Sequence, residues 1–217
     1  MSTKPRKPPI DPVRWQPPPV DPLPDFPAPA VTVVPLPGNG PEDVVVDSAG
    51  QLWAGLEDGR ILRVPADGGD PVVVADTGGR PLGLHVARDG HVLVCDSHRG
   101  LLALDPASGG LATLVDSVDG RRLKFCSNVT ETADGTIYFT ESTSRFHFED
   151  YTAPIVEARG TGSLFRLGAD GSVSALARSV LRQRRHPDGG RVRSGVRGDS
   201  GPTVVEVLAV GPQGGDR

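Results

Sequence analysis

Glu42, Leu82 and Ser127 each stand eight residues before one of three turn glycines, Gly50, Gly90 and Gly135, and Asn128 follows Ser127. Carboxylate, hydroxyl and carboxamide oxygens are the donors a hard divalent cation takes, whereas Leu82 has no ligating atom. The register therefore outlines a cation site with a gap in it. Each residue also has a plainer role. Glu42 follows the loop residues 38–41 and equally serves as a solvated acid, and Asn128 equally satisfies the backbone of a turn. If a strand runs through this point, alternation turns Asn128 away from the face that Ser127 occupies. The histidines do not gather: His85 and His91 lie in or beside strands, His98 in a turn and His147 in a longer loop, with no metal or triad spacing.

The elements that must position these residues are short strands. The phrases DSAGQLWAG, ARDGHVLVC and TADGTIYFT share one pattern. Each continues into a second strand (DGRILRVP, RGLLALDP, GSLFRLGAD) and a third (DPVVVAD, LATLVDS, SVSALA), joined by Gly, Asp or Pro turns. With the innermost strand added, the unit is a four-strand antiparallel meander. Runs such as 92–95 and 136–140 are β-branched or aromatic and too short for helix. A meander repeating at about 40 to 45 residues is the period of a β-propeller blade. The third copy carries an insertion, Ser142 to Thr161, between its second and third strands. Long loops of this sort lie over functional faces. Its Phe146, Phe148 and Tyr151 either wall a substrate mouth or anchor the loop on its blade.

Composition bounds the function classes. The chain has 217 residues, 28 Gly, 22 Pro and a formal net charge of -4, which suits a turn-rich all-β domain and gives no reason to expect nucleic acid. No apolar run approaches membrane length, and residues 1–15 lack the apolar core of a secretory signal, so a cytoplasmic location is expected. Cys95 and Cys126 are accordingly expected as free thiols, Cys95 as a small buried hydrophobe of a strand. Residues 1–37 are crowded with proline, which excludes helix and central strand and favours an extended path. That leader is either a strap docking through Trp15 and Phe26 or a disordered segment.

GPEDVVVD and FCSNVTETADGTIYFTESTSRFHFEDY, with the Gly-rich re-entry that follows, resemble the strictosidine synthase-like branch of the six-bladed propellers, which also include the SMP-30/gluconolactonase and paraoxonase families. The resemblance spans about residues 7–176. It implies a central channel holding Ca²⁺ or another divalent cation and hydrolysis of a small-molecule lactone or ester; plant members instead condense an amine with an aldehyde. Carried onto this chain, it implies Glu42 as a metal ligand. An Asn is expected where Ser127 stands, with Asn128 one position on.

After Ala177 the pattern breaks. Residues 178–217 form an arginine-rich tail with no aromatic residue and are expected to be irregular. Back-translated with permitted codons and regrouped one base later, 180–190 reads YFANGVTLTA and 203–215 reads RLSRYWLSGPKAG, both phrases of the resembled family. In that regrouping only the middle base of each codon is free. The expectation is a frame change after about residue 177, leaving residues 38–177 as about three blades of a six-bladed all-β propeller. An open arc exposes apolar blade faces, so aggregation or homo-association, non-cooperative unfolding and loss of the parent activity are expected. The alternative is a non-catalytic propeller that binds a small molecule or a protein.

Overall fold

A computed structural model describes residues 7–12, 16, 19, 33–180, 192–198 and 201–207, the last two segments by backbone alone. Trp15, Phe26 and most of the regrouped stretches lie outside the described residues.

The first sheet runs β1 (Val44–Val46), β2 (Leu52–Gly55), β3 (Arg60–Val64) and β4 (Val72–Asp76), antiparallel in sequence order. The second repeats it with β5 (Pro81–Val86), β6 (Val92–Asp96), β7 (Gly100–Leu104) and β8 (Leu111–Val115). A small hairpin follows, β9 (Ser117–Val118) against β10 (Arg121–Arg122). The third sheet is β11 (Cys126–Glu131), β12 (Ile137–Glu141), β13 (Gly162–Leu167) and β14 (Val173–Val180). These are three propeller blades in an arc.

The three shared phrases build one turn three times. Gly50 N–H donates to Asp47 O and Asp47 N–H to Gln51 O; the same pair of bonds joins Gly90 with Ala87 and His91, and Gly135 with Thr132 and Thr136. The glycines sit at φ +78, +92 and +80, where an L side chain is strained, so the turn selects glycine at this place in every blade. Aspartates close the turns: Asp47 Oδ1 accepts from Ala49 and Gln51 N–H, and Asp89 and Asp134 do the same for His91 and Thr136.

Period-two alternation divides the core. Val92, Val94, Leu102 and Leu104 face the first blade and pack with Trp53, Ile61 and Ala75. Cys95 and Leu101 face the third, meeting Cys126, Phe139, Phe165 and Leu167. Phe139 and Phe165 stack with centroids 5.1 Å apart. Each blade covers its neighbour's apolar face, and hydrogen bonds such as Leu84 N–H to Asp43 Oδ2 and Arg88 N–H to Glu131 Oε2 add to that packing across the boundaries.

Strand β14 continues to Val180. Strand β15 (Val192–Gly198) pairs antiparallel with β16 (Gly201–Val207).

Candidate functional site

In an antiparallel meander, alternate connections share one end. The β1–β2, β5–β6 and β11–β12 turns with Gly50, Gly90 and Gly135 lie at one end of the arc. The connections β2–β3, β6–β7 and β12–β13, and the passages from blade to blade, lie at the other. Bonds between them confirm the grouping: Ser97 N–H donates to Arg80 O and Ser142 N–H to Phe125 O. Glu42, Leu82 and Ser127 all enter their blades here.

The structure places these residues together at one end without making them a cation site. Glu42 precedes β1 and its side chain is 44% exposed, with Oε2 3.6 Å from the Arg80 guanidinium. Arg80, almost wholly buried, also donates to Gly40 O at 2.8 Å and lies over the Phe148 ring at 5.0 Å. Leu82 is buried at the equivalent place. The hydroxyl of Ser127 belongs to a cluster, 3.0 Å from Thr140 Oγ1 and accepting from Ser142 Oγ at 2.9 Å. Asn128 is exposed, and its backbone is what the fold uses: its N–H donates to Thr140 Oγ1 and its carbonyl accepts from Cys95 Sγ.

Simple alternation does not govern this point. Cys126 opposes Glu141 and Val129 opposes Phe139, so one extra residue is bulged out between them. The same bulge recurs in β5 between Pro81 and Leu84. Strands β5 and β11 come so close that a Cβ on Gly83 would lie 2.4 Å from Ser127 O. A divalent cation needs several charged or carbonyl oxygens turned to one point. Here one candidate is engaged by a cation, one position is leucine and one is a hydroxyl already bonded. Among the described residues no three of His, Cys, Asp and Glu converge on a common centre. The residues present do not fit the implied ion.

The insertion begins after β12 and holds a single 3-10 turn, Phe148–Asp150, and α1 (Ala153–Glu157). Phe146 is wholly buried beside Arg145 and therefore anchors the loop, which removes it from an open mouth. Phe148 packs edge-on to Phe125 at 5.6 Å and stacks on Tyr151 at 6.0 Å. Tyr151 is 51% exposed, the one aromatic of the three that presents a large surface.

The leader reaches this insertion. Lys7 pairs with Asp150 at 3.2 Å, Arg145 donates to Pro9 O, and Arg159 donates to Asp11 O and pairs with the Asp11 carboxylate at 2.5 Å. Residues 7–12 are therefore a strap. Among the described residues it is held by these charges and hydrogen bonds.

Two acids escaped notice in the sequence. Asp96 and Glu141 end strands β6 and β12, and both are buried. Glu141 takes a two-pronged hold from Arg121, at 2.9 and 2.5 Å, and accepts from Lys124 N–H. Asp96 Oδ1 accepts from His98 and Arg99 N–H. The available signal was the acid that closes VLVCD and IYFTE in equivalent positions of two copies. Next to them, His98, Arg122, Leu123, Lys124, His147 and Glu149 line a cleft of about 500 Å³. His98 Nε2 stands 2.9 Å from Glu149 Oε1. Burial depresses the His147 imidazole below its ordinary value, Lys124 and His98 push the same way, and Glu149 and Asp150 oppose them.

Three four-strand antiparallel blades in an arc define a β-propeller fold. Two solved structures share the fold: a structural-genomics target placed with the gluconolactonases (TM-score 0.59, 18% identity, 80% of this chain and 65% of that one) and a gluconolactonase from Xanthomonas campestris (TM-score 0.53, 20% identity, 73% and 59%). Residues 30–64 match the family model described as strictosidine synthase-like, N-terminal. Protein strictosidine synthase-like 4 of Arabidopsis thaliana is 33% identical over 129 residues, covering 57% of this chain and 35% of the relative. The adipocyte plasma membrane-associated protein of Rattus norvegicus is 30% identical over 166 residues, covering 70% and 43%. The chain thus matches less than half the length of these relatives. Among the described residues no helix is long and apolar enough to cross a membrane.

Proposed function

We propose that this chain, as it stands, is a binding arc of a strictosidine synthase-like propeller, holding a small molecule at its loop-bearing end without hydrolysing it. The observation that carries this is Arg80. A guanidinium 3.6 Å from Glu42 neutralises the carboxylate that the resemblance assigns to a cation, and Leu82 supplies nothing at the next position. Without a cation to polarise a carbonyl and activate water, the parent chemistry lacks its electrophile. Two buried free thiols, Cys126 Sγ donating to Cys95 Sγ at 3.1 Å, suit a reducing, cytoplasmic setting.

A second reading is favoured by the exposure of Glu42, which leaves one carboxylate within reach of an incoming ion. On it, lactone or ester hydrolysis belongs to the closed six-bladed propeller, and the regrouped tail restores the Asn. Val44 and Val46 on the innermost strand, both more than half exposed, are surfaces through which an arc would associate with itself.

One assay separates the readings. The chain and a frame-repaired gene product are offered an aryl ester and a γ-lactone with calcium and with chelator. No turnover by the chain supports the binding reading, turnover only after repair supports the second, and calcium-dependent turnover by the chain itself sinks the first.

A further inference from the structure

The cleft beside Phe148 has an electrostatic make-up that the channel positions lack. His98 enters it from the β6–β7 connection, Arg122 and Lys124 from the passage into β11, and His147 and Glu149 from the insertion. Its negative group, Glu149, is turned to His98. Asp150 next to it is paired with Lys7. Among the described residues no acid is paired with Arg122 or Lys124, although both carry fixed charge. Leu123, buried between them, gives the floor an apolar patch. Three separate elements therefore deliver cationic and hydrogen-donating groups to one concavity large enough for a small organic molecule.

We propose that this cleft binds a small carboxylate-bearing molecule, its carboxylate held by Arg122 and Lys124 and its apolar part resting on Leu123. The side chain of Glu149 beside His98 is a carboxylate already seated at the rim, which is why this anion is assigned in preference to phosphate. Phosphate shares the donor chemistry and is the second arm of the test. His147 supplies the regulation. Burial first, then Lys124, lowers its titration, and a bound anion facing it, together with Glu149 and Asp150, opposes both and favours the protonated form. Binding therefore strengthens as pH falls. The inference rests on the binding reading above and deepens it by naming the ligand class.

The experiment uses the full chain at constant ionic strength, following the imidazole resonances while sodium propionate, or separately inorganic phosphate, is added between pH 8 and pH 6. Saturable shifts of His98 and His147 with propionate are expected, with affinity about tenfold higher at the acid end and the His147 titration moved up by ligand. Lys124→Gln should weaken propionate about tenfold and raise the His147 titration without ligand, and Lys124→Arg, which keeps the charge, should restore both. Arg122→Gln, on an exposed side chain, should weaken binding while leaving the fold intact. Saturation by phosphate with propionate silent overturns the ligand class. Shifts that never saturate, or that appear only at His85 and His91, overturn the site while leaving the binding reading standing. Calcium-dependent hydrolysis by the chain overturns that reading whatever happens at His147.

Discussion

Glu157, wholly buried at the end of the insertion helix, accepts a hydrogen bond from the backbone N–H of Asp11, 146 positions earlier in the chain. The same carboxylate faces Arg145 at 3.2 Å and Arg159 at 4.0 Å, so one acid ties the strap, the insertion and the re-entry into β13. Arg145→Ala should leave that buried charge with the Asp11 N–H and only the more distant guanidinium, and cost about 3 kcal/mol, read as a lower denaturation midpoint. Deleting residues 1–12 should speed amide exchange across residues 142–161 and leave the turns at Gly50 and Gly90 unchanged. Uniform exchange in both regions would show that the strap holds nothing.

Arg121 and Glu141 form the other buried pair, with Glu141 sealed from solvent and Arg121 one-third exposed. Arg121→Ala is expected to destabilise by about 3–5 kcal/mol, because the carboxylate remains buried with only the Lys124 N–H for support. The double variant Arg121→Met with Glu141→Leu should recover most of that loss, since it removes both desolvation penalties. Chemical denaturation of the set decides it: a double variant as weak as the single one would mean that packing at this site, rather than charge, dominates.

Asp47 gives the fold an acid-sensitive joint. Burial alone would raise its carboxyl, but the Trp53 indole N–H and the backbone N–H groups of Gln51 and Ala49, with Arg63 nearby, outweigh it and hold it below the usual carboxylate range. A depressed carboxylate stabilises the folded state above its ordinary value and loses that contribution as pH falls through the folded value. Asp47→Asn should therefore cost about 1 kcal/mol at pH 7 and progressively less in acid. Denaturation midpoints of both proteins at pH 7 and pH 3 measure it; a gap that widens in acid would contradict the assignment.

The thiols of Cys95 and Cys126 lie 3.1 Å apart in the packing between the second and third blades, and Cys95 donates to Asn128 O. Burial first, then the Cys95 thiol, pushes Cys126 well above its usual value. Neither should react with a thiol reagent at pH 8 in the native state, and both should react once urea separates the blades. Rapid labelling of the native chain would show that the second and third blades part in solution.

The meander was legible because its causes are local. Alternation of period two, the Asp and Gly of the turns at Gly50, Gly90 and Gly135 and the β-branched runs act within a few residues, so Val92 to Cys95 disclose a strand and Gly90 its turn without any partner in view. The strap was half legible: proline marked an extended path, but its partners Asp150, Glu157 and Arg159 lie far along the chain. The role of Phe146 stayed open for the same reason, since an aromatic in a loop gives no sign of whether a blade covers it.

The sequence by itself determined the blade and its repeat, because these rest on periodicity and turn chemistry that each copy carries whole. Only the tertiary structure decided the fate of the chemistry. Arg80 reaches Glu42 across a blade boundary, a bulge at Ser127 suspends the alternation that strand counting assumes, and His98, Lys124 and His147 meet only when three connections fold to one end. Charge and burial act through space, so residues that looked scattered along the chain became a cleft, and those that looked like a cation site did not.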